Sequence, residues 1–296
     1  MGAKLRVVRR RIRTVQSTMK ITRAMELIAA SRILKAQQRV EAARPYAERL
    51  TAAMEDVARQ TGGLLHPLLE ERPEPRTAGV LVITSDRGLA GAYNSNVLRR
   101  AERVVDGISR RGLERALYVG GRKGQSYFRF RAQPMAAVWT GVSEVPPYVA
   151  AEEIGRRLMD DFGQARIDEL HCVYTDFRSA FTLRATDKRF LPIAPEEITG
   201  EPGAPSAEYI FEPEPQQILD ELLPRYLITK IYAAMLESAA AESAARRRAM
   251  KAATENGEDL IKVLTRQANQ ARQSEITTEI MEIVGGAEAL SQASAE

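Results

Sequence analysis

The sequence predicts an α/β protein with long helices: an antiparallel two-helix coiled coil from the N- and C-terminal segments, plus a central α/β domain with a mostly parallel sheet. Three observations carry that reading. Residues 5–57 hold an apolar heptad with no glycine in it. Residues 79–185 alternate short apolar runs with helical periods. From about Gln216 to Leu290 the chain is alanine-rich and helical again. The boundaries that follow are 1–60 for the first helix, 61–77 for a linker, 78–212 for the α/β domain and 213–296 for the second helix.

The first helix has the cleanest pattern. Alternate steps of three and four residues pick out Leu5, Val8, Ile12, Val15, Met19, Thr22 and Glu26, then Ala29, Ile33, Ala36, Val40, Ala43, Ala47, Leu50, Met54 and Val57. Only Thr22 and Glu26 in that series are not apolar, and only Pro45 interrupts the run. Such spacing keeps one stripe on one side of a helix and is the signature of a coiled-coil seam. A helix of this length is about 80 Å long and needs a partner to cover its stripe.

The helix ends near Thr61-Gly62-Gly63, and a linker with Pro67, Pro73 and Pro75 follows. The run Gly79–Thr84 reads as a buried strand. Helices near 93–111, 123–130 and 147–163 then alternate with strands at 116–119 and 135–140, and 170–174 and 181–185 read as further strands. This alternation implies a Rossmann-like, mostly parallel sheet with helices on its faces. A loop rich in proline, glycine and glutamate, from Pro192 to Pro215, closes the domain.

In the second helix, Ile228, Ile231, Met235, Ser238, Glu242, Ala245, Ala249 and Ala252 keep heptad spacing. After a shift, Ile276, Ile280, Ile283, Ala287 and Leu290 resume it. Pro224 should kink the helix or mark its effective start. Because a domain intervenes, the chain must fold back and the two helices should run antiparallel. The second is longer by ~30 Å, so its end should overhang the first helix and expose apolar side chains there.

Composition narrows the chemistry. The chain has 296 residues, 44% of them hydrophobic and 28% charged, which suits a soluble protein with a real core. No apolar run is long enough to cross a bilayer, and the N-terminus lacks the apolar core of a signal peptide. The single cysteine, Cys172, excludes an internal disulfide and reads as a small buried hydrophobe. His66 and His171 are far apart and lack ligand partners at metal spacing, so no metal is expected. Charge is concentrated: residues 1–50 hold thirteen Lys/Arg against three acids, and no acid falls between Lys4 and Arg23. Such a block seeks phosphate, an anionic membrane or an acidic protein surface.

Two glycine-rich turns invite a nucleotide reading. Gly120-Gly121-Arg122-Lys123-Gly124-Gln125 follows a strand but fits neither phosphate-binding pattern, so it is read as a structural turn. Thr84–Asn94 follows the first strand and opens a helix. It is read as a tight turn whose Ser85 and Asp86 satisfy free backbone amides, rather than as an anion site. No catalytic residue and no cofactor site emerge.

Three motifs together resemble F-type ATP synthase gamma subunits. They are Lys20-Ile21-Thr22-Arg23-Ala24-Met25-Glu26, then Ser85–Asn94, then Ala271–Ile280 followed by Glu282-Ile283-Val284-Gly285-Gly286-Ala287. They lie in the family's order and span essentially the whole chain. Departures are Arg32 where lysine is usual, Ala90 where many members have cysteine, Ser243 where histidine is common, and Gln270 where a basic residue is common. Ser291–Glu296 extend past the usual end, and the cysteine-bearing insertion of chloroplast relatives is absent.

The resemblance implies a non-catalytic rotor shaft that couples ion flow through a membrane sector to conformational cycling of the catalytic beta subunits. The implied partners are the alpha and beta subunits, the epsilon subunit and the membrane c-ring, without nucleic acid and without membrane insertion. The implied location is peripheral, on the cytoplasmic side of a bacterial cell membrane. Met25, Arg272 and Gln273 match positions that contact the beta subunits. Ile276, Ile280, Ile283, Val284 and Leu290 would form an apolar bearing tip. The alternatives from the residues alone are a nucleotide-binding enzyme with helical dimerisation arms and a basic coiled-coil DNA-binding protein. The missing phosphate loop opposes the first, and the heptad running through the basic block opposes the second.

Overall fold

A computed structural model describes residues 2–61, 66–179, 182–198 and 214–293, with side chains from Leu5 to Ala287 except at 58–61 and Pro215. Two compact units result. One joins Met1–Ile28 to Arg247–Glu296, and the other is Ala29–Arg246.

Helix α1 spans Gly2–Thr61 and helix α5 spans Pro215–Ala293. All sixteen heptad positions of α1 are buried or half-buried, while every intervening side chain from Arg6 to Ile21 is exposed. Pro45 lies inside α1 without ending it.

In the unit Ala29–Arg246, β1 (Thr77–Ile83) is the central strand of a five-stranded sheet. Its parallel neighbours are β2 (Glu114–Gly120) and β4 (Glu169–Phe177). Outside them lie β3 (Ala137–Trp139), parallel to β2, and β5 (Leu183–Leu191), antiparallel to β4. Helices α2 (Tyr93–Arg110), α3 (Arg122–Phe130) and α4 (Tyr148–Gly163) make the crossovers. Alternation along β1 sends side chains to both faces. Val80 and Val82 pack with Val97, Ala101 and Ile108 of α2 and Phe128 of α3. Leu81 and Ile83 pack with Ile154, Leu158 and Phe162 of α4, Met54 and Val57 of α1, and Leu223, Leu227 and Ile231 of α5. Each such large side chain stabilises the unit by roughly 1.5–3 kcal/mol.

Three expectations need correction. Pro224 does not start the second helix, which begins at Pro215 and runs through it; Leu219, Leu223 and Leu227 are fully buried around the proline and hold the turns on either side against the core. Of the apolar fragment at 181–185, Leu183–Ala185 open β5, which continues to Leu191 through Thr186, Asp187, Lys188 and Arg189. As the antiparallel edge strand it has one exposed side that accepts polar residues. Phe181 itself lies outside the described residues. Beyond Ala245 the seam of α5 does not continue through Ala249 and Ala252: Ala252 is exposed and Ala249 only half-buried. The covered series is Met250, Thr254, Gly257, Ile261, Leu264, Ala268 and Ala271. Of the Pro192–Pro215 loop, a short 3-10 turn at Pro195–Glu197 is described, and residues 199–213 lie outside the described residues.

Candidate functional site

The unit of two helix ends is held by a narrow seam. Thr22 and Thr254 meet through their hydroxyls at 2.7 Å, both buried. Each hydroxyl also lies near a carbonyl of its own helix, Met19 for Thr22 and Met250 for Thr254. A turn away, Gly257 faces Met19 so closely that an added Cβ would lie 2.5 Å from Met19 Cγ. These two contacts set the two helix segments of this unit antiparallel, and the same register brings Leu5 about level with Ala271.

Arg272 and Gln273 are exposed, just where α1 runs out, and Met25 is half-buried. Met25 lies ~30 Å along the pair from Arg272, by helical rise in this register. The structure therefore does not bring the three expected contact residues together. Past Arg272, Ile276, Ile280, Met281, Ile283 and Val284 are all about half exposed or more, the highest being Ile283 at 71%. Ile276, Ile280 and Ile283 lie on one face, with Val284 beside it. Leu290's side chain lies outside the described residues. Around α1, Arg9, Arg10, Arg11, Arg13, Lys20 and Arg23 point to solvent. The unit thus offers a cationic face and a bare apolar end.

The α/β unit resolves the two turns. Asp86 accepts the backbone N–H of Arg122 at 3.1 Å, of Gly141 at 2.8 Å and of Ser143 at 3.0 Å. Its own N–H donates to Ser143 Oγ at 2.8 Å. Burial would raise the Asp86 pKa, but these donors win and hold it below the ordinary carboxylate range. The amide at the start of α3, where a phosphate would bind, is thus already filled by a side chain of the protein. Thr84 seals the same place: its hydroxyl donates to Gly120 O at 2.8 Å and accepts Gly124 N–H at 2.9 Å. Ser85 and Asn94 close the other turn, with Ser85 N–H donating to Asn94 Oδ1 at 3.0 Å.

One cluster was not anticipated. Arg246 and Glu242, one turn apart on α5, form a buried ion pair at 2.5 Å. The same Arg246 nitrogen donates to the carbonyls of Gly88 at 3.3 Å and Arg87 at 3.4 Å. Glu144 stands 4.0 Å away and is itself bound by Arg32 of α1 at 2.8 Å. Burial raises the Glu242 pKa and Arg246 opposes it, with burial prevailing. The signal was a Glu–Arg pair at helical spacing in an alanine run, which the heptad reading had absorbed. Among the described residues, no group of His, Cys, Asp or Glu could hold a metal ion, and no helix is long and apolar enough to cross a membrane. Burial pushes the Cys172 thiol well above its ordinary range, so it stays protonated.

Comparison with known proteins agrees over the whole length. A family model described as ATP synthase matches residues 4–290. The ATP synthase gamma chain of Parafrankia sp. (strain EAN1pec) is 54% identical over 295 residues, covering 98% of this chain and 99% of that one. The gamma chain of Thermobifida fusca is 52% identical over 303 residues, covering 100% and 99%. Among solved structures, a chain of the Euglena gracilis mitochondrial ATP synthase (OSCP/F1/c-ring, rotational state 3) matches with a TM-score of 0.68 at 15% identity, covering 98% of this chain and 95% of that chain. A chain of the Tetrahymena thermophila mitochondrial ATP synthase central stalk and c-ring matches with a TM-score of 0.59 at 23% identity, covering 79% and 99%. At these identities the structural likeness speaks for the fold.

Proposed function

The chain belongs to the ATP synthase gamma chain family, and from that membership we propose that its paired helices are the central rotor shaft, turning inside a ring of alpha and beta subunits. It is a non-catalytic subunit of the synthase. The observation that carries the shaft reading is the free end of α5: Ile276, Ile280, Ile283 and Val284 have no cover from this chain among the described residues. A bearing requires weakly directional apolar contact, since strong hydrogen bonds would trap one angle. An alpha–beta collar supplies such a surface, and Leu290 belongs to the same tip.

Arg272 and Gln273, at the level where α1 ends, are read as contacts to the beta subunits, with Met25 a separate contact lower on the pair. Arginine offers a planar fork for carboxylate, and glutamine a neutral donor and acceptor beside it. Bonds of that kind are worth about 1.5–3 kcal/mol, enough to favour one beta conformation and still break at each step. The α/β unit would sit with the epsilon subunit on the c-ring, leaving the chain peripheral at the cytoplasmic face of a bacterial membrane. Rotation then couples ion flow to catalysis by presenting a different contact set to each beta subunit.

The test is to tag the chain, purify it from its source and identify what accompanies it; alpha, beta and epsilon subunits are expected. In the assembled complex, Arg272→Ala with Gln273→Ala should slow ATP turnover by about tenfold, the loss of one such bond, without dissociation. Unchanged turnover in intact complexes would leave Arg272 and Gln273 as solvated surface. Absence of the partner subunits would remove the shaft reading itself.

A further inference from the structure

We propose that His66 is a proton-sensitive pin in the linker between α1 and β1, locked while its ring is neutral and released when the ring takes a proton. His66-Pro67-Leu68-Leu69 is a tight turn in which the His66 carbonyl accepts the Leu69 N–H at 2.9 Å. Proline at the second position is pre-set for such a turn. The ring closes the turn a second time, His66 Nδ1 accepting the Leu68 N–H at 3.0 Å. A ring nitrogen that accepts carries no proton, so the hydrogen of the neutral imidazole is on Nε2. Both leucines are anchored. Leu68 and Leu69 are buried in the core that also holds Met54 and Val57 of α1 and Leu219 and Leu223 of α5. The Leu68 carbonyl accepts the Ile193 N–H at 2.8 Å. One imidazole thus holds the place where the chain leaves the first helix for the sheet, and all these residues lie in the unit Ala29–Arg246.

A proton adds to this ring at Nδ1, and there it sets donor against donor. The Leu68 N–H then loses its acceptor, and a charge appears on a side chain that is only 11% exposed. Two acids face the ring. Asp220 of α5 stands 3.7 Å from Nε2, beyond hydrogen-bonding reach, and its Oδ1 also accepts from Gln216 Nε2 at 3.3 Å. Glu70 is the next residue after the turn. Both acids favour the charged ring, but the Asp220 side chain is 57% exposed and water screens it. Burial outweighs them and holds the His66 pKa below the ordinary 6.5. A folded pKa on that side of 6.5 means a contribution fully present above pH 6.5 and lost as pH falls through the lowered value. The joint is therefore locked at neutrality and loosened by acid.

The pin is tested on the purified full chain, whose two histidines give a simple imidazole spectrum. Long-range proton–nitrogen NMR, with His66 assigned by its loss in His66→Asn, should show Nδ1 bare and Nε2 protonated above neutrality, and a midpoint below 6.5. Asparagine is the informative replacement, because its side-chain oxygen accepts the N–H two residues on and does not titrate in this range. Trp139, the single tryptophan, sits on β3 and reports unfolding of this unit. The ratio of unfolding constants, wild type over His66→Asn, should be flat above pH 6.5, rise on acidification and level off below the midpoint. Its total rise should be about tenfold for each pH unit between 6.5 and the midpoint seen by NMR. His66→Ala, with no acceptor, should be weaker than His66→Asn at every pH. A protonated Nδ1 at neutrality, a midpoint at or above 6.5, or parallel stability curves for wild type and His66→Asn overturns the proposal. If His66→Asn does not fold, the wild-type tautomer and midpoint, assigned through His171→Gln, decide alone.

Discussion

From Val8 to Met19, α1 shows solvent two side chains for each one it covers, whereas α5 from Ala234 to Arg246 buries every side chain except the half-buried Glu237. The first stretch belongs to a two-helix seam and the second to a helix wrapped by a sheet and its neighbours. In the seam, one line of contacts does all the packing, and a neighbour that must move has open solvent to move into. In the wrapped stretch a displaced atom meets another element on every side, so strain has no outlet. The two units should therefore differ less in which mutations matter than in how steeply they respond.

The largest response is expected from Arg246→Ala. It leaves Glu242 buried without its counter-charge and withdraws the donor from the Arg87 and Gly88 carbonyls. Breaking a buried pair in this way costs about 3–5 kcal/mol. Denaturant unfolding followed by Trp139 fluorescence checks it, and a loss under about 1 kcal/mol would show that the wrapped stretch relaxes after all.

Next comes a contrast between two glycines. At Gly121 φ is +95°, and a Cβ would lie 2.3 Å from the Thr84 carbonyl oxygen, which is backbone and cannot move aside. Gly121→Ala should cost about 3 kcal/mol in the same measurement. At Gly257 the nearest atoms belong to the flexible Met19 side chain, and alanine is the better helix former by about 1 kcal/mol. Gly257→Ala should change stability by no more than about 1 kcal/mol in either direction, read by hydrogen exchange at amides of residues 5–25. Equal costs at the two positions would erase the distinction between the units.

A last contrast, within the seam itself, sharpens the same point. Thr22→Val leaves the Thr254 hydroxyl only the Met250 carbonyl of its own helix and should cost about 0.5–1.5 kcal/mol, the net worth of the lost hydroxyl contact, while Thr22→Val with Thr254→Val should return close to the original protection. A double variant as weak as the single one would mean that the hydroxyls act separately.

How much of this was legible in the sequence depended on contrast between residues. Along α1, basic and polar residues separate the apolar ones, so each seam position could be named. Along α5 the alanines are apolar on every face, and periodicity through Ala249 and Ala252 fitted as well as the true series through Thr254 and Gly257, whose polar and small residues do not look like core. The role of Asp86 was half visible: a capping carboxylate is common in such a turn, but the amides it binds, at Arg122, Gly141 and Ser143, come from far along the chain. The ion pair of Glu242 and Arg246 depends on which groups the fold buries beside it. Periodicity carries no information about that. Arg272 and Gln273 came from family resemblance, whereas the tip followed from the resumed heptad and the greater length of the second helix, and the exposure of Arg272, Gln273, Ile276, Ile280, Ile283 and Val284 is what that length difference required.

The hydroxyl contact between Thr22 and Thr254 bears on what a seam of alanine, valine and leucine leaves undecided. Apolar heptads tolerate sliding by a whole repeat, because one small hydrophobe replaces another. A slip of a single turn would part these two hydroxyls by ~5.4 Å and carry the bulk of Met19 away from the notch at Gly257. The pair is therefore indexed as well as joined. Neither helix end can creep lengthwise along the other, so a twist imposed on one is carried by both in step.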